Sequence, residues 1–499
     1  MKLSELAAKV NGLQPASAPN GGDVEIQSVI DDSRAARPGA LFVARGGSKA
    51  QGAAFIEAAV RGGAAAVVVA MNDPIPAGVA AYRAANPSAM LAPLAHAFAG
   101  FPSKNLKMLG VTGTNGKTTV AFFTQQLMLA AGNKFGLMGT ILIDDGKTRA
   151  PAELTTPGAA AIAPLLKRMH DNGCKGVAME VSSHALEQGR AAEIDFAVAL
   201  FTNLSGDHLD YHGNMDSYAD AKAKLFENLS ADAVAIVNAD DPAHARMLRD
   251  CRARVLRCGV VGGGATHVDV EASVLEARIG SMRLRLRGPW GEVTAQLPVM
   301  GRHNATNALQ AATAAWTLGA TKEHIMAGLA TLCAPPGRLE PVTSLNAPFA
   351  VLVDYAHTDD ALLNVLRALR PALPAGGKLI TVFGCGGDRD RSKRPRMAAV
   401  ASEHSDVAII TSDNPRTEDP ASIVEEVALG VPAASRAHVM KIIDRREAIM
   451  QAVAMARPGD AVLIAGKGHE DYQIVGTVKK PFDDRVVARE ALHAAGKNI

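Results

Sequence analysis

The residue run Gly110-Val111-Thr112-Gly113-Thr114-Asn115-Gly116-Lys117-Thr118-Thr119 has the composition of a phosphate site. Backbone N–H groups that no side chain obstructs point at phosphate oxygens, and a helix N-terminus adds partial positive charge. Lys117 would reach the β- and γ-phosphates, and the Thr118 hydroxyl would ligate Mg²⁺. Gly113, Thr114, Asn115, Gly116 and Thr119 complete the candidate loop. The spacing departs from the common phosphate loop, because Val111 stands five residues before Gly116 where that pattern has Gly. The residues imply binding of a nucleoside triphosphate but do not by themselves name a reaction.

Further polar groups follow apolar runs. Glu180 ends Gly176-Val177-Ala178-Met179, and His208 lies beyond Phe196 to Phe201. Carboxylate and hydroxyl oxygens suit Mg²⁺ better than an imidazole does, so a structural histidine stays open for His208. Lys222 and Lys224, in the helical stretch 216–226, read on their own as solvated surface lysines. Asn304 lies where Gly301-Arg302-His303-Asn304 opens an Ala-rich helix; adenine or ribose contact and helix capping are equal alternatives. Asp31 to Arg34 and Gly46 to Lys49 are polar loops that suit an anionic or sugar ligand, or simply the surface.

These residues need elements to hold them. Leu106 to Leu109 reads as a short strand and Val120 to Ala131 as a helix, so the glycines fall on a strand-to-helix turn. Strands at 176–179, 196–201 and 234–238 alternate with helices, which predicts a parallel sheet covered on both faces. Ligands then bind off the carboxyl ends of the strands. Residues 260–300 read as a β-rich excursion, alternating through Met282-Arg283-Leu284-Arg285-Leu286. Ala334-Pro335-Pro336-Gly337 reads as a linker. After it, four apolar runs at 351–353, 379–383, 407–410 and 462–465 each lead into a charged or Gly-rich loop. A parallel sheet would set all four loops on one rim, bringing Arg389, Arg416 and Glu470 together.

With 499 residues the chain exceeds one core and predicts about three domains. Its apolar share is 48% and its charged share 20%, an ordinary balance for a water-soluble protein. A net charge of +2 argues against a nucleic-acid partner on a basic face. Five scattered cysteines suggest neither a disulfide frame nor a zinc site and fit a reducing compartment. No apolar signal core opens the chain and no run is long enough to span a bilayer, so a cytoplasmic location is expected.

Taken together, Asp32-Ser33-Arg34, Gly113 to Thr119, Thr155-Thr156-Pro157, Glu180 to His184, Asp207 to Asp210, Lys222, Asp354 to His357, Asp413 to Arg416 and Gly466 to Glu470 resemble the motifs of the Mur ligases. These are the ATP-dependent amide-forming enzymes of peptidoglycan precursor synthesis. The resemblance covers the whole chain and implies an α/β fold in three domains. A smaller N-terminal α/β domain, 1–105, would bind the UDP substrate. A central P-loop-type ATPase with a mostly parallel sheet would span 106–337. A C-terminal Rossmann-like domain, 338–499, would bind the amino acid. The implied cofactors are ATP and Mg²⁺, and the implied substrates are UDP-N-acetylmuramoyl-L-alanyl-D-glutamate and meso-diaminopimelate. A monomer is expected.

The resemblance also implies roles. Asp31, Ser33, Ser48, Lys49 and Ala50 would hold the uridine end of the substrate, and Thr155, Thr156, Ser182, Gln188 and Arg190 its muramoyl-peptide end. Glu180 and His208 would ligate magnesium. Lys222 would be carbamylated and complete a metal site, against its surface reading. Asn304, Arg338 and Asp354 would contact the nucleotide. Arg389, Asp413, Asn414, Pro415, Arg416, Gly466 and Glu470 would form the amino-acid pocket. Diaminopimelate has one carboxylate more than lysine, and a guanidinium grips a carboxylate through two parallel hydrogen bonds. Arg416 therefore favours diaminopimelate over lysine. A lysine-adding Mur ligase, a folate-polyglutamylating ligase and a nucleotide-switched binding protein remain alternatives. Two positions depart from the family: Asp359 replaces a usual Pro, leaving the local turn open, and Leu154 stands where some relatives have a polar contact.

Overall fold

The structure is a computed structural model that describes residues 1–17, 23–46, 52–344, 347–435 and 438–496. Three large sheets follow one another along the chain. The first has five strands in the order Gln14–Ser17, Ala80–Ala84, Ala64–Ala70, Ala40–Val43 and Ser28–Ile30, parallel except for the outer Gln14–Ser17. Leu41, Val43 and Val68 pack on Leu91 and Leu94 of helix Pro87–Ala99. Phe42, Val67 and Val69 pack with Ile56 on the opposite face.

The central sheet has eleven strands. Lys107–Thr112 lies between Gly176–Glu180 and Phe196–Phe201, parallel to both. Buried on both faces, these strands are continuously apolar rather than alternating, as a doubly covered parallel sheet demands. Helices Lys117–Ala130 and Arg302–Thr317 pack on one face. Helices Ala159–Asp171 and Met215–Glu227 pack on the other. The expected β-rich excursion is present as three strands, Val270–Arg278, Ser281–Gly288 and Gly291–Leu297, paired antiparallel. Met282, Leu284 and Leu286 are buried while the arginines between them lie outside the core, the period of two read from the residues.

The third sheet runs Glu340–Pro341, Ala350–Asp354, Ala461–Ala465, Leu379–Cys385, Val407–Ser412, His438–Lys441, parallel except for the first strand. The four anticipated loops therefore share one rim. Helices Asp359–Leu369, Lys393–His404 and Pro420–Ala428 cover one face, and Arg445–Met455 and Asp484–Ala494 the other.

Three local expectations change. The strand read at 106–109 extends to Thr112, so only Gly113 to Gly116 form the turn. Gly110 pairs within the sheet, and it is glycine there because a Cβ would press on the Phe196 ring at 2.8 Å. The helix starts at Lys117 rather than Val120. At Asp359 the turn is intact: Thr358 caps helix Asp359–Leu369, and an acidic residue in the first turn suits the helix dipole.

Candidate active site

The phosphate loop is tied down from the neighbouring strand end. Thr202 Oγ1 and Asn203 Nδ2 donate to the Asn115 carbonyl at 2.6 and 2.9 Å. Gly113 has φ 143, and a Cβ there would collide with Thr202 Oγ1, so the close approach requires glycine. No side chain caps helix Lys117–Ala130 at Gly116. Its first N–H groups thus keep the anion-binding character expected of a helix start.

Lys117 folds back over this loop, its Nζ donating to the Gly113 and Thr114 carbonyls at 2.9 and 2.8 Å. Lys222 Nζ donates to the same Gly113 carbonyl at 2.9 Å and lies 4.3 Å from the centre of the Tyr218 ring. Two ammonium groups therefore converge on one oxygen. Burial and the Lys117 charge hold the Lys222 ammonium well below the usual lysine range. At 1% exposure Lys222 is not a surface lysine, which corrects the reading made from it alone. The signal was present: Tyr218, Lys222 and Phe226 share one face of helix Met215–Glu227 at i, i+4, i+8, with Tyr218 and Phe226 apolar. Lys224 is half-buried on the same helix.

Thr118 Oγ1 donates to Glu180 Oε2 at 3.0 Å, and the Thr140 N–H and hydroxyl donate to the same carboxylate at 2.8 and 3.1 Å. This cluster of hard oxygens suits Mg²⁺. His208 stands at φ 54 before the short helix Leu209–His212, with its side chain 49% exposed. Its ring packs edge-on against His184 at 4.9 Å. Among the described residues no three histidine, cysteine or acidic side chains form a metal cluster. A carbamylated Lys222 would add the carboxylate that such a cluster lacks.

A cavity of about 370 Å³ opens beside the loop, lined by Asn115, Gly116, Thr119 and Asn304 from the central unit and by Arg338, Asp354 and Tyr355 from the third. That volume is in the range of small-molecule sites. Asn304 Nδ2 donates to the Met300 carbonyl at 2.8 Å and its Oδ1 accepts from Asn307 at 3.0 Å. Asn304 does not cap its helix, because Gly301 holds the cap without a side-chain bond. Asp354 accepts from the Leu339 and Ala356 N–H groups at 2.7 and 2.8 Å, and burial pushes its carboxyl up. Arg338 stacks on the Tyr355 ring at 4.6 Å. Sequence reasoning left Tyr355 without a role, although it lies within the quoted motif.

Toward the first unit, Asp31 pairs with Arg45 at 2.5 Å, and Ser33 begins a single 3₁₀ turn capped by Asp32. Ser48, Lys49 and Ala50 lie outside the described residues. Thr155 bonds to Thr140 at 3.0 Å. Thr156 bridges the Glu180 carbonyl and the Ser182 N–H at 2.9 and 3.0 Å. Arg190 holds Gln188 and the Thr156 carbonyl at 2.9 and 3.2 Å. Burial, then the charge of Arg45, push the Arg190 guanidinium below its usual range. Leu154 is exposed.

In the third unit Asp413 and Asn414 are buried at the end of strand Val407–Ser412, followed by Pro415. Arg416, at φ 51, bonds through its N–H to the Ile474 carbonyl at 3.0 Å, and its Nη1 donates to the Gly387 carbonyl at 2.8 Å. Its guanidinium thus lies over the loop that carries Arg389, which is exposed. A Cβ at Gly466 would stand 2.8 Å from Asp413 Oδ2, another close approach that requires glycine. Glu470 Oε2 accepts from Asn414 Nδ2 at 2.8 Å and from Lys467 Nζ at 2.9 Å. Lys467 is fully buried, and sequence reasoning gave it no role although it lies inside a quoted motif.

Comparison with known proteins supplies the context. Residues 111–315 match the Mur ligase middle domain, residues 337–468 the Mur ligase glutamate ligase domain, and residues 25–98 the Mur ligase family catalytic domain. A UDP-N-acetylmuramoyl-L-alanyl-D-glutamate–2,6-diaminopimelate ligase of Gloeobacter violaceus is 43% identical over 493 residues, 99% of this chain and 98% of that protein. A ligase of the same name from Geobacillus kaustophilus is 42% identical over 502 residues, 99% of this chain and all of its own. A solved structure bearing that name superposes with a TM-score of 0.69 at 31% identity, covering 99% of both chains. With matches to all three parts and full-length relatives above 40% identity, the chain belongs to the Mur ligase family.

Proposed function

We propose that the chain joins meso-diaminopimelate to the D-glutamyl γ-carboxylate of UDP-N-acetylmuramoyl-L-alanyl-D-glutamate at the expense of ATP. The observation that carries the reading is the convergence of two lysine ammonium groups on the Gly113 carbonyl, beside the Thr118–Glu180 pair. A carboxylate forms no amide readily, because its oxygen leaves poorly. Transfer of the γ-phosphoryl group to that oxygen releases ADP and gives an acyl phosphate. The amine then attacks the acyl carbon, the C–O bond to phosphate breaks with its electron pair, and the amine loses a proton.

Bringing γ-phosphate and carboxylate together opposes two anions. Lys117, swung from the Gly113 and Thr114 carbonyls onto phosphate, offsets that repulsion, as does the start of its helix. Thr118 and Glu180 are the residues to hold Mg²⁺, with His208 and a carbamylated Lys222 closing the set. When bound, Mg²⁺ neutralises phosphate charge as a Lewis acid. Asn304, Arg338 and Asp354 would seat the nucleoside in the cavity between the units. The 31–33 turn with the 48–50 loop would hold the uridine end, and Thr155, Thr156, Ser182, Gln188 and Arg190 the peptide end. Arg389, Asp413 to Arg416, Gly466 and Glu470 would hold the amino acid. The three units are taken as 1–105, 106–337 and 338–499, acting as a monomer in the cytoplasm. Among the described residues no helix is long and apolar enough to cross a membrane.

Full-length likeness to diaminopimelate ligases supports this substrate over lysine. The test is phosphate release with UDP-muramoyl dipeptide, ATP, Mg²⁺ and one amino acid at a time. Diaminopimelate should drive release and lysine should not. Release that is independent of any amino acid would overturn the ligase reading, and preference for lysine would overturn the specificity.

A further inference from the structure

Lys467 follows strand Ala461–Ala465 on the rim of the third sheet, yet its side chain is 0% exposed. A buried ammonium is costly unless it is paired and hydrogen-bonded. Its partners are Glu470 Oε2 at 2.9 Å and Asn414 Oδ1 at 3.2 Å. Asn414 Nδ2 donates in turn to Glu470 Oε2 at 2.8 Å. Three side chains therefore close a triangle, and two of them belong to the amino-acid pocket. The Tyr472 ring stands 5.4 Å from the ammonium.

The triangle has two consequences for a ligand. Asn414 Oδ1 accepts from Lys467 and from the Ile474 N–H at 2.9 Å, so the amide cannot flip without losing both bonds. Glu470 Oε2 is occupied by two donors, while Oε1 accepts no hydrogen bond from the described residues. The carboxylate thus presents one oxygen in a fixed direction, with most of its charge balanced by Lys467. On the same rim, the Arg416 guanidinium and the exposed Arg389 are the cations that could take a carboxylate. This arrangement offers one anion acceptor site and one cation acceptor site, which is the pattern of a zwitterionic α-amino-acid head. The distal centre of diaminopimelate is such a head, and the distal end of lysine is only an amine.

We propose that Lys467 is a positioning residue that aims Asn414 and Glu470 at the distal zwitterion and so helps select the amino acid. This rests on the diaminopimelate reading above. A merely structural ammonium would cost stability on removal, by leaving the Glu470 carboxylate unpaired, but would leave KM for diaminopimelate unchanged in the protein that still folds.

The experiment compares wild type, Lys467→Met, Lys467→Gln, Asn414→Ala and the double variant Lys467→Met/Asn414→Ala in the full chain. Removing a charged hydrogen bond from a desolvated site should raise KM for diaminopimelate about 30- to 100-fold in Lys467→Met. KM for ATP and for the UDP substrate should stay within about twofold. The double variant should be no worse than the worse single variant, because both act through one triangle. Lys467→Gln keeps one donor to Glu470 and should fall between wild type and Lys467→Met; it carries the test if Lys467→Met does not fold. A diaminopimelate KM within threefold of wild type, an equal rise in all three KM values, or multiplying effects in the double variant would each overturn the proposal. Wild type that rejects diaminopimelate would defeat the substrate reading instead. The same variants are then assayed with whichever amino acid it accepts, and an unchanged KM for that amino acid overturns the role of Lys467.

Discussion

Lys222→Met separates what the buried ammonium does to the fold from what it does for the reaction. The side chain is almost the same length, and it loses the bond to the Gly113 carbonyl and the approach to the Tyr218 ring. Those two interactions stabilise by roughly 2–4 kcal/mol together. Against them stand the desolvation of a 1% exposed ammonium, several kcal/mol in effect, and its repulsion from Lys117. The balance favours the variant by about 1–2 kcal/mol, or about 2–8 °C in the thermal midpoint of a unit this size. The pH dependence has a definite sign. Lys222 has its pKa lowered in the fold, so between that value and the unfolded one the unfolded state binds the extra proton. Wild-type stability therefore rises with pH across that window, and this rise should be absent in the variant. Turnover should fall about a thousandfold or more, since the group meant to complete the metal set is gone. Thermal unfolding in CO₂-depleted buffer and phosphate release give the two readouts. Lys222→Ala should recover part of its turnover with added formate or acetate. A variant less stable than wild type by 1 kcal/mol would refute the charge-imbalance argument, and full unaided turnover would refute the catalytic one.

Other perturbations test the remaining parts of the site. Arg416→Ala should raise KM for diaminopimelate on the order of a hundredfold while nucleotide affinity by calorimetry stays unchanged; an unaltered kcat/KM for diaminopimelate would defeat the assignment. Thr118→Val keeps shape but removes the hydroxyl on Glu180, so half-saturation by Mg²⁺ should rise about tenfold or more, read from rate against metal concentration. His96 is fully buried with neither ring nitrogen bonded among the described residues, and burial pushes it down to about 4. Between pH 6.5 and 4 only the unfolded chain takes up its proton, so acidification destabilises the first unit by about 3 kcal/mol through this ring. Hydrogen exchange in helix Pro87–Ala99 should show that loss in wild type, and His96→Leu should lack it.

Much of the architecture was written locally. Short continuous apolar runs marked the parallel strands, and the alternation in 282–286 marked the antiparallel excursion, because the period of side-chain exposure follows directly from strand geometry. The phosphate loop was legible for the same reason: Gly, Lys and Thr act through backbone N–H groups and reach that depend only on neighbouring residues. A parallel third sheet was enough to put Arg389, Arg416 and Glu470 on one rim.

Tertiary packing decided the charges and the distances. Lys222 and Lys224 are two residues apart in one helix and alike in chemistry, yet only Lys222 faces the sheet and meets the Gly113 carbonyl. Glu180 and Thr118 are 62 positions apart and touch because the strand ending in Glu180 lies beside strand Lys107–Thr112, which leads into the helix of Thr118. The His208 ring meets those of His184 and Tyr218, which lie on two other helices. Lys467 became a positioning group because Asn414, 53 residues earlier, closes over it. Burial and long-range contact belong to the assembled sheets and not to any window of residues. A side chain's solvation, and with it its charge and role, was therefore settled only by the fold.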